Sequence, residues 1–458
     1  MRKTAGEEER IQLRRLFGVS GARLRTMIGA FHGEMRRGLA GEPGSLQMLP
    51  AYVDIPTGLE RGTFLALDLG GTNVRVLWVE LPGDGSSPTI VEDQFQLSRE
   101  QIASEGKVLF GAITRFIGRF LGERNLSGRL PLGFTFSFAI RQRSIARGEL
   151  IAWTKGWTAE GVVGRDVVEL LNAALGEEGV PGVRVVSLNN DTTGTLMALA
   201  FLDADCDAGC ILGTGTNICY RERTAEIRSP TGPYDREFMV VNMESGNFNA
   251  SLPRNRYDVL LDGASENPGS QAEEKMVSGK YLGELARLVV ADLCGRGLMF
   301  GGRLPEIFAA CGKFGSEHLS EIEADESSAA DEARAWLEDW GIRPADGDDA
   351  RFLRDIARLI SGRAARIAAA ALAATVTKND PALDRPHVIA VDGSVFHKYP
   401  RFRARMEETF RELYRDRADR LWLASMQDGS GFGAAIIAAA TIGSSGGADS
   451  GFREKPDF

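Results

Sequence analysis

From Glu7 to Leu39 apolar side chains recur at helical spacing: Leu13, Leu16 and Phe17, then Leu24, Met27, Ile28 and Phe31. That period predicts an N-terminal helical region. "MLPAYVDIPTGLERG" (48–62) ends it with two prolines and glycines. The pattern then changes. "FLALDLGGTNVRVLWVEL" (64–81) reads as an apolar strand, four turn-forming residues and a second apolar strand. "GCILGTGTNICYRE" (209–222) repeats that plan.

Between the two hairpins, helical and strand patterns alternate. "GKVLFGAITRFIGRFLGER" and "GVVGRDVVELLNAALGEEG" read as helices, "LPLGFTFSF" and "VRVVSLNND" as strands. "NDTTGTLMALAFLDA" opens a further helix before the second hairpin. After it come a strand in "MVVNME", a long helical region from Gln271 to Phe314, and a strand in "PHVIAVDGSV". A strand, glycine turn and helix in "LWLASMQDGSGFGAAIIAAAT" close the ordered chain, and "GSSGGADSGFREKPDF" is expected to be disordered. Strands alternating with helices in two halves, each opened by a glycine hairpin, predict two α/β layers facing one another across a cleft.

The 458 residues favour two or three domains, and 43% hydrophobic with 26% charged residues is a globular composition. A net charge of -9, with both signs interspersed, argues against nucleic acid or an anionic membrane as the main partner. The start carries charges throughout and no apolar signal core, so no secretory signal is expected. "RIAAAALAATV" and "GAAIIAAATIG" are too short to span a bilayer and are expected as buried, alanine-rich helices. Five cysteines, odd in number and without nearby histidines, read as plain thiols in a reducing cytoplasm.

"DLGGTN" and "GTGTN" lie between two strands, so neither is a Walker loop or a dinucleotide fingerprint. A tight turn rich in Gly, Thr and Asn aims backbone N–H groups at one point and suits phosphate oxygens. One copy would pass as an ordinary hairpin turn; two, one led by the carboxylate of Asp68, favour phosphate. Asp191 follows an apolar strand and precedes a helix, which suits a helix cap and a general base about equally. "FTFSFAIRQRSIARGELIAWTKGW" clusters Ser137, Gln142, Trp153, Thr154 and Lys155 beside aromatics, a mixture suited to a sugar or to a two-faced hairpin. Asp392, Asp428 and Glu244 sit in glycine turns, where solvated carboxylates are common.

Taken together and in order, these stretches resemble the eukaryotic-type hexokinase and glucokinase family over nearly the whole chain. "LGFTFSFAIRQRSIARGELIAWTKGW" resembles its sugar-binding signature, and "NNDTTGT", "GTGTN", "ENPGSQAEEKMVSGKYLGELAR", "VDGSVF" and "DGSGFGAA" follow in register. The resemblance implies a two-domain actin/ribonuclease-H-like α/β fold with a central cleft. Its small domain would hold 63–190 plus 434–458 and its large domain 1–62 plus 191–433.

It also implies a cytoplasmic ATP-dependent hexose kinase acting on the 6-hydroxyl of glucose, with mannose, fructose or glucosamine as other candidate sugars, with magnesium and ATP, at the first step of glycolysis. Asp191, Lys155 and Arg75 would be catalytic. Ser137, Thr154, Lys155, Asn190, Asp191, Asn217, Glu244 and Glu274 would bind the sugar. Asp68, Gly70, Gly71, Thr72, Asn73, Arg75, Gly213, Thr214, Gly215, Thr216, Gly393, Ser394, Gly429 and Ser430 would line the nucleotide site. Asp68 and Asp191 would hold magnesium through water. Alternatives are a catalytically weak sugar sensor and a kinase for a modified hexose.

Four positions depart from the family pattern. Ser245 and Asn247 stand in "ESGNF", where the family usually has Glu-Trp-Gly-Ala-Phe. This is expected to enlarge or polarise the sugar pocket. Ala139 replaces a proline, and Phe432 a lysine of the last glycine turn, which would remove a cation near the nucleotide.

Overall fold

The computed structural model describes residues 2–71, 73–228, 234–343 and 345–443; Thr72 and all of the expected disordered tail after Gly443, which is helical, lie outside the described residues. Thirteen strands occur among them: β1 (Leu49–Pro50), β2 (Arg61–Leu69), β3 (Asn73–Pro82), β4 (Thr89–Gln96), β5 (Leu130–Phe136), β6 (Ala139–Ser144), β7 (Arg147–Ala152), β8 (Val183–Asn189), β9 (Cys206–Leu212), β10 (Thr216–Arg223), β11 (Phe238–Asn242), β12 (His387–Asp392) and β13 (Leu421–Ser425). One sheet has the order β4-β3-β2-β5-β8, a second β1-β11-β10-β9-β12-β13, and β6 pairs only with β7. Both glycine hairpins form as antiparallel pairs, β2 with β3 and β9 with β10. In each sheet the hairpin's first strand is joined by parallel strands, β5 and then β8 beside β2, β12 and then β13 beside β9. Two sheets built on the same plan give two α/β lobes.

Apolar patterning explains the layers. β2 is buried from Phe64 to Leu69, and the Gly106–Glu123 helix packs its Leu109, Phe110, Ile113, Phe116, Ile117 and Phe120 under that sheet. The second lobe has its own core, in which the 31-residue helix Gly347–Thr377 is central. "RIAAAALAATV" is the last part of that helix. It contains an 18-residue window long and apolar enough to cross a membrane, yet 83% of the window is buried within the lobe. The region from Gln271 to Phe314 is less continuous than its periodicity implies. It breaks into Glu274–Val277, Gly279–Gly295 and short turns, because Ser278 is extended (ψ 153) and Gly297, Phe300, Gly301 and Gly302 take positive φ.

The lobes meet where the Asp191–Leu202 helix crosses the Gly429–Gly443 helix. A Cβ on Gly433 would lie 1.9 Å from the Gly194 carbonyl oxygen, and one on Gly194 2.7 Å from that of Ser430. On the sheet side, a Cβ on Gly133 of β5 would lie 1.9 Å from Ala434 O. Backbone therefore packs on backbone at three points, with no room for a methyl group. Gly433→Ala should cost ~3 kcal/mol or more, because only backbone displacement could relieve the clash. Urea denaturation checks this, and a loss under ~1 kcal/mol would mean the crossing can open freely.

Candidate active site

Asp191 stands at the joint between the lobes. β8 ends at Asn189, and Asn190 caps the next helix by accepting the Thr193 N–H at 2.9 Å. The capping role considered for Asp191 thus belongs to its neighbour. Asp191 is the first helical residue, half-buried, with Oδ1 accepting the Thr192 N–H at 2.8 Å. Its other oxygen, Oδ2, is not used by that contact.

Around it, β10, β11 and the turn after β11 carry a linked polar set. Asn217 donates to Asn242 Oδ1 at 2.7 Å, and Asn242 donates to Glu244 Oε1 at 2.8 Å. Asn217 Oδ1 accepts the Ser245 N–H at 3.2 Å. Glu274 Oε2 accepts the Thr216 N–H at 3.0 Å, which ties it to the second hairpin. Burial raises the Glu244 carboxyl above its ordinary range, with the charge of Asp191 adding to the shift. Burial also raises Glu274; the Thr216 N–H opposes this, and Lys280, then Glu244 and Lys155, act on it through their charges. Asp191, Glu244, Glu274 and Lys155 therefore share one electrostatic neighbourhood. Glu244 (φ 53°) and Lys155 (φ 57°) both take left-handed backbone.

Lys155 Nζ donates to Gly70 O at 2.5 Å and Ser137 O at 3.0 Å, joining the β7 exit loop to the first hairpin turn. Ser137 Oγ is buried and finds no partner among the described residues, so it is free to meet a ligand hydroxyl. Thr154 is exposed beside Lys155. The aromatics of this region support the loop from below: Phe138 meets Trp153 edge-on at 4.9 Å, and Trp153 stacks on Trp157 at 5.2 Å. Gln142 and Trp153 are likewise structural. The Gln142 amide donates to Leu188 O (2.8 Å) and Ser144 O (3.2 Å), and the Trp153 indole to Ala159 O (2.8 Å).

The other half of the cleft gathers the glycine turns. Asp68 and Arg75 pair across β2 and β3, with Arg75 Nη2 2.8 Å from Asp68 Oδ2. Ser430 Oγ donates to the same oxygen at 2.7 Å, and Arg75 Nη1 reaches Asp428 Oδ1 at 2.5 Å. The first hairpin and the last glycine turn are thus latched together. Gly71 has open space where a Cβ would project, and Asn73 at the start of β3 is exposed. In the second hairpin, the Gly213 and Thr214 carbonyls accept the N–H groups of Gly279 and Lys280, and Gly213 N donates to Gly215 O. Gly215 faces Glu274, and Gly393 presses on Gly213 with exposed Ser394 next to it. Asp68 and Asp191 offer hard oxygen donors of the kind magnesium takes alongside substrate phosphates.

Three contributions escape sequence reasoning. Asn242 links two predicted sugar residues but lies in an ordinary strand pattern, and Asp428 looks like a solvated turn. Glu273 is 1% exposed, and its Oε2 has no partner among the described residues; the consecutive glutamates of "AEEKM" were the available signal. Two departures also resolve. Ser245 is wholly buried, with an unpartnered Oγ, so it does not widen the cleft directly. Phe432 is buried edge-on to Phe201 (5.9 Å) and contributes to the joint between the lobes instead of the nucleotide site.

Family models described as hexokinase match residues 10–201 and 207–440. The chain belongs to the hexokinase family. It is 41% identical over 417 residues to Hexokinase-3 of Homo sapiens, covering 88% of this chain and 44% of that protein. With Hexokinase-2 of Candida albicans it shares 37% identity over 442 residues, covering 93% of this chain and 90% of that one. The chain spans about half the length of the human, mouse and rat Hexokinase-3 proteins it matches. A solved hexokinase from Schistosoma mansoni, complexed with glucose, superposes with a TM-score of 0.86 at 34% identity, covering 95% of this chain and 99% of that chain. The two-lobed α/β architecture is the fold of this family.

Burial, then the adjacent Glu274 charge, raises the Glu273 carboxyl well above its ordinary range. Between pH ~4.5 and that raised value, the folded state binds more protons than the unfolded one, so stability falls as pH rises. Glu273→Gln should therefore be more stable than the parent at pH 8, with the gap shrinking toward pH 4.5. Thermal unfolding across that range tests this; a gap independent of pH would show that ionisation of Glu273 is not the cost.

Proposed function

We propose that this chain is an ATP-dependent hexose kinase that phosphorylates the 6-hydroxyl of glucose. The observation that carries the reading is the place of Asp191. It is a half-buried carboxylate at the lobe joint, between a polar set suited to sugar hydroxyls and glycine turns suited to phosphates. Carboxylates and amides are the usual hydrogen-bond partners of hydroxyl groups, and Asn190, Asn217, Glu244, Glu274, Thr154 and the free Ser137 Oγ supply them here. The glucose bound to the Schistosoma mansoni hexokinase supports the same class of ligand for this chain.

In the reaction, Asp191 accepts the proton of the 6-hydroxyl as its oxygen bonds to the γ-phosphorus of ATP. The bond from that phosphorus to the β,γ-bridging oxygen breaks, and ADP leaves with the electron pair. Such transfer needs positioning and charge neutralisation more than covalent help. Arg75 and Lys155 supply cationic charge at the cleft, and the turns at Gly70–Gly71 and Gly213–Gly215 supply backbone donors. Magnesium, when bound, neutralises phosphate charge, and Asp68 and Asp191 would hold it through water. The sensor alternative is disfavoured by the survival of Asp191, Asp68, Arg75 and Lys155 in one cleft.

Asp191→Asn preserves the shape of the side chain and removes the base. Its turnover of glucose with magnesium-ATP should fall by about 10³-fold, with glucose affinity by calorimetry within about threefold of the parent. Turnover at the parental rate would remove Asp191 from the mechanism.

A further inference from the structure

β12 and β13 run parallel, Val391 beside Ser425, and both end in turns on the nucleotide side of the cleft. One is Asp392-Gly393-Ser394; the other runs through Asp428 into Gly429 and Ser430. Beyond the strands, the backbone ties these turns by the Met426 N–H to Val391 O, at 3.0 Å. His397, in the short Ser394–Lys398 helix, adds a side-chain bridge. Its Nε2 lies 2.9 Å from Asp392 Oδ1, and its Nδ1 3.3 Å from Ser425 Oγ. One neutral tautomer satisfies both contacts: Nε2–H donates to the carboxylate, and Nδ1 accepts from the hydroxyl.

Each end of the bridge leads to a phosphate turn. Asp392 Oδ1 also accepts the Gly393 N–H at 2.6 Å. Gly393 has φ 115°, open to glycine, and a Cβ there would lie 2.4 Å from the Leu212 carbonyl and 2.7 Å from Gly213 N. A shift of Asp392 is therefore passed to the second hairpin. On the other side, Ser425 is three residues from Asp428, whose contact with Arg75, beside that of Ser430 with Asp68, latches the first hairpin. His397 closes a chain of contacts that runs from one hairpin to the other.

We propose that His397 is a positioning residue for the phosphoryl donor: by bridging Asp392 and Ser425 it fixes the spacing of the nucleotide turns and so sets nucleotide affinity. This rests on the kinase reading above for the identity of the ligand. The His397 ring contacts Asp392 and Ser425 and none of Asn217, Glu244 and Glu274, so sugar affinity should depend on it less than nucleotide affinity does.

The test uses the full chain with His397→Ala, His397→Gln and Ser425→Ala. Magnesium-ADP binding is measured by calorimetry, and KM for ATP, KM for glucose and kcat by product formation. His397→Ala should weaken ADP binding and raise the KM for ATP by about tenfold, the loss of roughly one hydrogen bond to a charged group. Glucose KM and kcat should stay within about twofold. His397→Gln, whose amide N–H reaches the same carboxylate, should recover most of the loss. Adding Ser425→Ala to His397→Ala should cost nothing further.

Unchanged nucleotide constants in folded His397→Ala would overturn the proposal, as would equal losses in glucose KM and kcat. Should that variant not fold, the Gln and Ser425→Ala variants decide by the same constants. A parent that binds ADP but transfers no phosphoryl group would overturn the kinase reading while leaving the binding arm to judge His397. A parent that binds no ADP would overturn both.

Discussion

The cleft depends on two helices that touch through their backbones. The Asp191–Leu202 helix begins at the candidate base, and the Gly429–Gly443 helix begins at the turn that latches Asp68 and Arg75. Because Gly194 and Gly433 carry no side chains, the two helix starts can lie close together, and Gly133 lets β5 join them from below. Any methyl group at this crossing would push apart the polar set around Glu244 and the glycine turn at Asp68. Packing in one place thus determines whether chemistry is possible in another.

Electrostatics adds a second condition. Glu244 and Glu274 are raised by burial and by neighbouring charge, and Glu273 lies buried beside Glu274. So many acids around one small volume are tolerable only if protons are shared or cations stand near; Lys280 and, more weakly, Lys155 from the opposite loop act on Glu274. Lys155 also donates to the Gly70 carbonyl, so one cation links the surroundings of Glu274 to the first hairpin turn. The acidic background of the whole chain makes such local balance necessary for any anionic co-substrate.

Much of this was legible in the sequence, for reasons that differ by element. The two hairpins were readable because a four-residue glycine turn between apolar runs has few other uses. Asp191 was ambiguous between cap and base, and only the geometry of Asn190 assigns the cap elsewhere. Gln142 and Trp153 looked like sugar contacts because polar groups beside aromatics suit sugars; their hydrogen bonds are spent on backbone carbonyls instead. The link of Asn242 to Asn217, 25 residues away, and the contact of Asp428 with Arg75, 353 residues away, were not legible from local pattern. Phe432 shows the reverse case, a departure that looked electrostatic and proves to be packing.

The most direct test of the account is the position of glucose in a crystal structure of this chain soaked with the sugar. The account predicts the 6-hydroxyl within hydrogen-bond distance of the Asp191 carboxylate, with Glu244, Glu274, Asn217 and Ser137 Oγ on the remaining hydroxyls. Glucose bound with its 6-hydroxyl away from Asp191, or outside this cleft, would contradict it.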